Sequence, residues 1–469
     1  MKIRLLFLSF AVSLLAPALL NAQAVSINTD GSNPAPSAIL DVKSTDKGVL
    51  VPRMTTVQRT AIAAPATGLL VYDTDIQSFW WYNGSAWTNL VGGSAPATYI
   101  ADTDGNTRVQ TEKNPNENVI RFDLNGFESM VLRKNTTNVT RLELPDFSGN
   151  LFVGDSSGAN AVMSFGNTAM GSKALTANTS GYENTANGYK ALYSNSSGNN
   201  NTAAGNNALL SNTTGAGNSA FGVYTLRSNT TGAANVAIGT SALFSNTTRS
   251  SLVAVGDSAL YNNGLGATQN IDGAYNVAIG SKALYSNTLG FYNTASGFQA
   301  LYSNTTGWSN TANGFQALYS NTTGYENTAN GFQALYYNTG SYNTATGFHA
   351  LTGNTTGGFN TATGYGALGF NTTGGYNTAT GFYALLGNTT GSNNTANGLW
   401  ALSSNTTGSA NVAIGTGALN RNTARSNLVA VGDSALYNNG LGATQNIDGA
   451  YNVAIGSKAL YSNTLGFYN

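Results

Sequence analysis

The stretch "NTANGFQALYSNTTGYE", Asn310–Glu326, is followed at Asn327 by "NTANGFQALYYNTGSY", and this near-copy decides the fold. The opening Asn recurs every 17 residues at Asn167, Asn184, Asn201, Asn218 and Asn235, and again at Asn276, Asn293, Asn310 and Asn327. After Asn327, which opens a unit of 16 residues, it returns at Asn343, Asn360, Asn377, Asn394 and Asn411, then at Asn452. Leu252 and Leu428 open two units of 24 residues, "LVAVGDSALYNNGLGATQNIDGAY", and "NLFVGDSSG" from Asn150 reads as a worn first copy. A fixed period of this size marks a chain built of stacked supersecondary units.

Counting from the opening Asn, Ala holds position three, Gly position five and Leu position nine, from Leu175 to Leu460. Ala holds position eight except at Thr225, and a second Asn at position twelve usually opens "NTTG". Gly, Asn and β-branched residues are poor helix formers, whereas Asn-Thr-Thr-Gly punctuates short strands. The spacing predicts an all-β fold, a parallel β-roll or solenoid. Each coil is expected to hold two short strands and to rise about 4.8 Å to the next. Asn suits the corners, where it tolerates left-handed backbone and ladders its amide from coil to coil.

Positions two, four and six share one face of the strand, and three and five share the other. Units with apolar positions two and four, such as "NVAIGT", carry a polar residue at six. Units with polar ones, such as "NTATGF", place an aromatic there (Phe298, Phe315, Phe332, Phe348, Tyr365, Phe382). The opposite face is Ala and Gly, which suits close approach of two backbones. One Leu and two Ala per coil make a thin core for the backbone they must order. A second copy of the chain is therefore expected on the two/four/six face. The candidate interface is Val236, Ile238, Val277, Ile279, Phe298, Phe315, Phe332, Val412, Ile414, Val453 and Ile455.

"NVAIGTSAL", "LVAVGDSAL" and "NVAIGSKAL" resemble the head repeats of trimeric autotransporter adhesins. That resemblance implies a left-handed parallel β-roll and a homotrimer, although those heads use a shorter period. The "NTAxGxxAL…NTTG" form is similar to secreted tail-fibre-like proteins of Bacteroidota, and so is the N-terminal pair "SAILDVKSTDKGVLVPRMTTVQRTAI" and "GLLVYDTDIQSFWWYNGSAWTNL". In that family a C-terminal intramolecular chaperone often follows the repeats. Here residues 252–293 and 428–469 are identical, and Asn469 opens a further unit. More coils and a cap are expected beyond it, because a bare last coil exposes its edge.

Only 9% of the 469 residues are charged and the formal net charge is zero, which argues against nucleic acid or an anionic membrane as partner. Lys2 and Arg4 before the apolar run Leu5–Leu20, then Ala22 and Ala24, read as an export signal. With no Cys there is neither a disulfide nor a lipid-anchoring cysteine. The expected divisions are a signal peptide 1–24, a β module 25–92, a linker 93–98 around Pro96, a β-hairpin connector 99–149 and the array 150–469. Within the module, Leu69–Tyr72, Ser78–Tyr82 and Ala86–Leu90 read as strands, with a tight turn at Asn83-Gly84. Trp80, Trp81 and Trp87 are either a small core or a sugar-stacking platform. Alternation in "NVIRFDLNGFESMVLR" predicts the hairpin.

Nothing in the chain reads as an enzyme, and no cofactor or metal is expected. His349, the single histidine, has no acid near it in sequence. Asp257, Asp272, Asp433 and Asp448 are too isolated for a calcium loop. The Asp257–Ala259 and Asp433–Ala435 triplets resemble a Bacteroidota O-glycosylation signal, while the many Asn-x-Thr triplets read as corners before they read as glycan acceptors. The expected function is a secreted or cell-surface fibre of a Gram-negative bacterium, adhesin-like, with a glycan or matrix protein as ligand. The seven-residue excess of each long unit is expected to stand out as a display loop: Asn263, Gly264, Gln269 and Asp272, then Asn439, Gly440, Gln445 and Asp448. Two alternatives remain open. Regular Thr pairs (Thr344/Thr346, Thr361/Thr363, Thr378/Thr380) suit an ice or crystal surface, and a phage-derived tail fibre shares the architecture.

Overall fold

The computed structural model describes residues 24–90, 99–101, 103–111, 119–125, 127–134, 140–143 and 148–469. The expected linker and all of the expected signal peptide but Ala24 lie outside them. The chain divides into two units, Met1–Glu143 and Leu144–Asn469.

In the second unit, 18 strands from β12 (Leu151–Val153) to β29 (Val453–Ile455) form one parallel sheet in strict sequence order. Each strand pairs in register with its neighbours, as Thr311, Ala312 and Asn313 pair with Thr328, Ala329 and Asn330. The ladder is about 80 Å long at the usual strand spacing. The two 24-residue units and the 16-residue unit keep the register of the strands on either side.

Each coil holds one three-residue strand, where two were expected. The reason lies at positions eight and nine. Ala317 and Leu318 are neighbours in sequence and both are fully buried, whereas a strand would send one of them outward. The chain instead turns, with Leu318 at φ 53°. Left-handed backbone costs a non-glycine residue about 1–2 kcal/mol, which burying a Leu offsets by about 1.5–3 kcal/mol. The same φ recurs at Leu175, Leu301, Leu335 and Leu402. This side of the coil still bonds to the next one, Leu318 N donating to Ala334 O at 3.0 Å and Ser320 N to Tyr336 O at 2.9 Å.

Ala at position three lies inside the coil, fully buried, whereas Gly at position five is half-buried. At Gly314, φ is 135° and a methyl group would collide with the carbonyl of Gly331 on the next coil. Glycine therefore serves the approach of coil on coil. The two Asn columns also lie inside, fully buried and outside the left-handed region. Asn310 Nδ2 donates to Asn293 Oδ1 (3.1 Å) and to Gly324 O (2.8 Å). Asn321 Nδ2 donates to Asn304 Oδ1 (2.9 Å) and to the same Gly324 O (2.9 Å). The amide ladder was legible in the sequence. Its place in the core, rather than at left-handed corners, was not.

These ladders are interrupted at the irregular units. The buried Oδ1 of Asn246, Asn321 and Asn422 meets no donor on the following coil; there Asn263, Asn338 and Asn439 keep the bond to Gly273 O, Gly340 O and Gly449 O and lose the one between coils. At the long units Leu252 and Leu428 also replace the opening Asn, so only a backbone N–H reaches Asn235 Oδ1 and Asn411 Oδ1.

Two deviant residues find direct explanations. Thr225, in the Ala column, is buried and donates its hydroxyl to Gly239 O at 3.0 Å. In the worn first coil Phe152 pairs with Ala169 in the Ala column, and its ring fills the space over Gly158, which stands where Leu stands elsewhere. The Phe-Gly pair does the work of Ala-Leu.

In the first unit, β1 (Val25–Asn28) and β2 (Leu40–Lys43) form a parallel pair. A four-stranded sheet holds β3 (Arg53–Met54), β4 (Leu70–Asp73), β5 (Ser78–Tyr82) and β6 (Trp87–Asn89). The last three are the expected strands, but residues 83–86 form a longer loop than the expected tight turn: Asn83 Oδ1 accepts from Ser85 N (2.9 Å) and Ala86 N (2.8 Å). A short helix α1 (Thr56–Thr60), opened by a Thr55/Gln58 capping box, was not foreseen. The expected hairpin is part of a five-stranded antiparallel sheet, β7 (Tyr99–Ala101), β8 (Arg108–Thr111), β9 (Val119–Leu124), β10 (Phe127–Lys134) and β11 (Thr140–Glu143), in the order β11-β10-β9-β8-β7.

Candidate interaction surfaces

The two/four/six face of the array points outward. Ile238 is 42% exposed, Ile279 46% and Phe298 43%. Val236, Phe315, Phe332, Ile414, Val453 and Ile455 are exposed as well, while Val277 and Val412 are half-buried. In register, only the position-six side chains stack into a continuous column, since positions two and four turn polar between Ile279 and Val412. Phe298, Phe315, Phe332, Phe348, Tyr365 and Phe382 form one ladder of rings with centroids 4.9–5.3 Å apart.

Further ladders went unrecognised in the sequence. At position ten, Phe244, Tyr261, Tyr285, Tyr302, Tyr319 and Tyr336 stack at 5.0–5.3 Å. At position sixteen Phe291, Trp308 and Tyr325 stack at 5.9 and 4.6 Å. Their signal was available, an aromatic recurring at a fixed column, but it changes column partway along the array.

The long-unit loops are partly woven into the solenoid. Asn263 and Asn439 are fully buried and continue the inner ladder, accepting from Asn287 at 2.9 Å and Asn463 at 3.0 Å. They are not displayed. Gly264, Asp272, Gly440 and Asp448 are half-buried, and Gln269 and Gln445 are exposed. Asp272 closes its loop by accepting from Thr268 N (3.0 Å) and Gln269 N (2.8 Å). Asp448 does the same, and those two amides, with Arg425 nearby, hold its carboxyl below the ordinary range. Arg249 and Arg425 stand in the Gly column one coil earlier. Their carbonyls keep the inner bonds, and their guanidinium groups reach the loops at Asn270 O and Asn446 O.

In the N-terminal unit the buried Arg59 pairs with Asp73 at 2.9 Å and lies 4.0 Å from the Trp80 ring centre and 5.5 Å from that of Trp87. These two indoles, half-buried, flank an internal guanidinium, and Trp81 is half-buried as well. His349 is half-buried, its Nδ1 3.1 Å from Thr352 Oγ1, and burial lowers its pKa. The asparagines that open "NTTG", such as Asn304 and Asn321, are fully buried and so inaccessible to glycosylation. Among the described residues no group of acidic, His or Cys side chains is arranged to hold a metal, and no helix is long and apolar enough to cross a membrane.

An elongated all-β solenoid with stacked outer rings defines a fibre-like structural protein. Residues 26–107 match the model of a family described as a phage tail like trimerisation region. No curated protein and no solved structure matches the chain. The matched region and the solenoid together fit a tail-fibre-like repeat protein.

Proposed function

We propose that the chain is the subunit of a secreted, homotrimeric, adhesin-like fibre on the surface of a Gram-negative bacterium, non-enzymatic, with the array holding a ligand-binding surface away from the cell. The observation that carries this reading is the outward two/four/six face, whose apolar side chains, Val236, Ile238, Ile279 and the ring ladder from Phe298, are left uncovered by a single chain. Contiguous exposed apolar surface of this kind marks an interaction site, and the description of the family matched at residues 26–107 supports three copies. The leader-like residues 1–24 favour a secreted fibre over a phage-derived one. The exposed Thr pairs from Thr344 to Thr380 span only three coils, short for an ice-matching lattice.

Light scattering on the full chain should give three chains per particle. Changing Ile238 and Ile279 to Asp would place charges against symmetry mates, and burying an unpaired carboxylate costs several kcal/mol. The double variant should dissociate or melt earlier, whereas Thr247→Asp should do neither. A monomeric wild type defeats the trimer.

A further inference from the structure

We infer that the array carries a binding groove for a linear, uncharged polysaccharide, built where the 16-residue unit shifts an aromatic ladder by one column. Upstream, the rings stand at position sixteen (Phe291, Trp308, Tyr325). The unit at Asn327 lacks the second Thr of "NTTG". From there, with a gap counted for that Thr, the rings stand at position seventeen: Tyr342, Phe359 and Tyr376. Position sixteen shrinks to Ser341, Gly358 and Gly375. An open groove of about 430 Å³ runs along the coils as a result.

Its two walls differ in chemistry. One is the ring stack, Tyr342 to Phe359 at 4.6 Å and Phe359 to Tyr376 at 4.8 Å, with planes within 12°. The other bears hydroxyls: Thr356 and Thr373 are exposed at position fourteen, whereas Thr355 and Thr372, at position thirteen, spend theirs on carbonyls of the next coil. Gly358 and Gly375 form the floor, and Tyr325, edge-on to Tyr342 at 5.1 Å, stands at one end. A pyranose presents apolar C–H faces and a hydroxyl rim, so an extended glycan meets rings on one side and hydroxyls on the other, one sugar following another along the axis. Aromatic rings supply the apolar contact at small entropic cost.

The ligand is uncharged because nothing here would balance a charge. From Ala283 to Asn420 the chain has no Lys, Arg or Asp, and its single carboxylate, the exposed Glu326, does not line the groove. The groove occupies positions fourteen to seventeen, apart from the two/four/six face. The inference thus adds a ligand class to the fibre reading without depending on trimerisation.

Affinity chromatography of the full chain on columns bearing immobilised hydroxyethyl cellulose or linear glucomannan, both neutral, should show retardation by at least one. Hyaluronan, an anionic comparator, should give none. Phe359→Ala with Tyr376→Ala removes the wall. Gly358→Tyr with Gly375→Tyr fills the floor with the residue type that the same column holds at Tyr325. Each pair should weaken retardation about tenfold or more, as loss of a central aromatic anchor does, with the circular dichroism melt of the wall variant unchanged. The inference is overturned if neither neutral polymer retards the wild type, if hyaluronan retards it equally, or if the wall variant binds like the wild type. Light scattering on the same samples separates the two readings. A trimer that binds no neutral glycan removes the groove alone, and a monomer that binds one removes the trimer alone.

Discussion

At the scale of single residues, two of the five buried side chains in a coil such as Asn310, Ala312, Ala317, Leu318 and Asn321 are amides. Asn304 makes three inner bonds, donating to Asn287 Oδ1 (2.8 Å) and Gly307 O (2.9 Å) and accepting from Asn321 (2.9 Å). Asn321 donates to Asn304 and Gly324 but has no partner for its Oδ1. Replacing Asn304 by Ala strands buried partners on both neighbouring coils, each such loss costing about 1–3 kcal/mol. Asn321→Ala strands fewer, so its urea midpoint should fall less than that of Asn304→Ala. Equal losses would mean the ladder adds nothing beyond each residue's own turn. The columns themselves were plain in the sequence. What the columns did not reveal was direction: Leu318 and its equivalents adopt a backbone conformation that Leu avoids, for burial alone, and propensity reasoning cannot anticipate a strain repaid by the coil as a whole.

At the scale of elements, the N-terminal sheet is pinned to its helix by charge. Burial pushes the Asp73 carboxyl up, but the bonds from Arg59, Thr56 and the amides of Asp75 and Ile76 outweigh it and leave the group below its ordinary 3.8. A carboxyl lowered in the folded state contributes stability above the unfolded value, and that contribution is lost as pH falls through the lower, folded one. Acidification below pH 3.8 should therefore loosen α1 from β4, reported by fluorescence of Trp80 and Trp87 around Arg59. Asp73→Asn should remove this acid step while weakening the module at neutral pH. An unaltered acid transition in the variant would assign it elsewhere. The strands of this module were readable from alternation and turn residues. Arg59 was not, because its partner lies 14 residues away and nothing local distinguishes a buried guanidinium from a surface one. The groove was hidden for a related reason: its walls come from successive coils, and only the stacking of Tyr342, Phe359 and Tyr376 brings them together.

At the scale of the whole molecule, the interrupted ladders divide the array into stretches that differ in how firmly they hold their neighbours. Under tensile load along the axis, as a surface fibre in flowing liquid would bear, each coil-to-coil contact is a link in series, and the weakest sets the yield. The junctions at the two long units lack side-chain amide bridges in both Asn columns, keeping only a backbone N–H in one, and the junction after Asn321 lacks one in a single column. Pulled from its ends in an optical trap, the array should part first at the long units, then after Asn321, releasing chain in a few large steps. Restoring the missing Thr to the unit at Asn327 should delete one step. Extension that proceeds coil by coil from either end would contradict this. What the sequence spells as irregular repeats thus becomes a set of mechanical fuses, able to lengthen the array and dissipate a tug before the remaining coils give way.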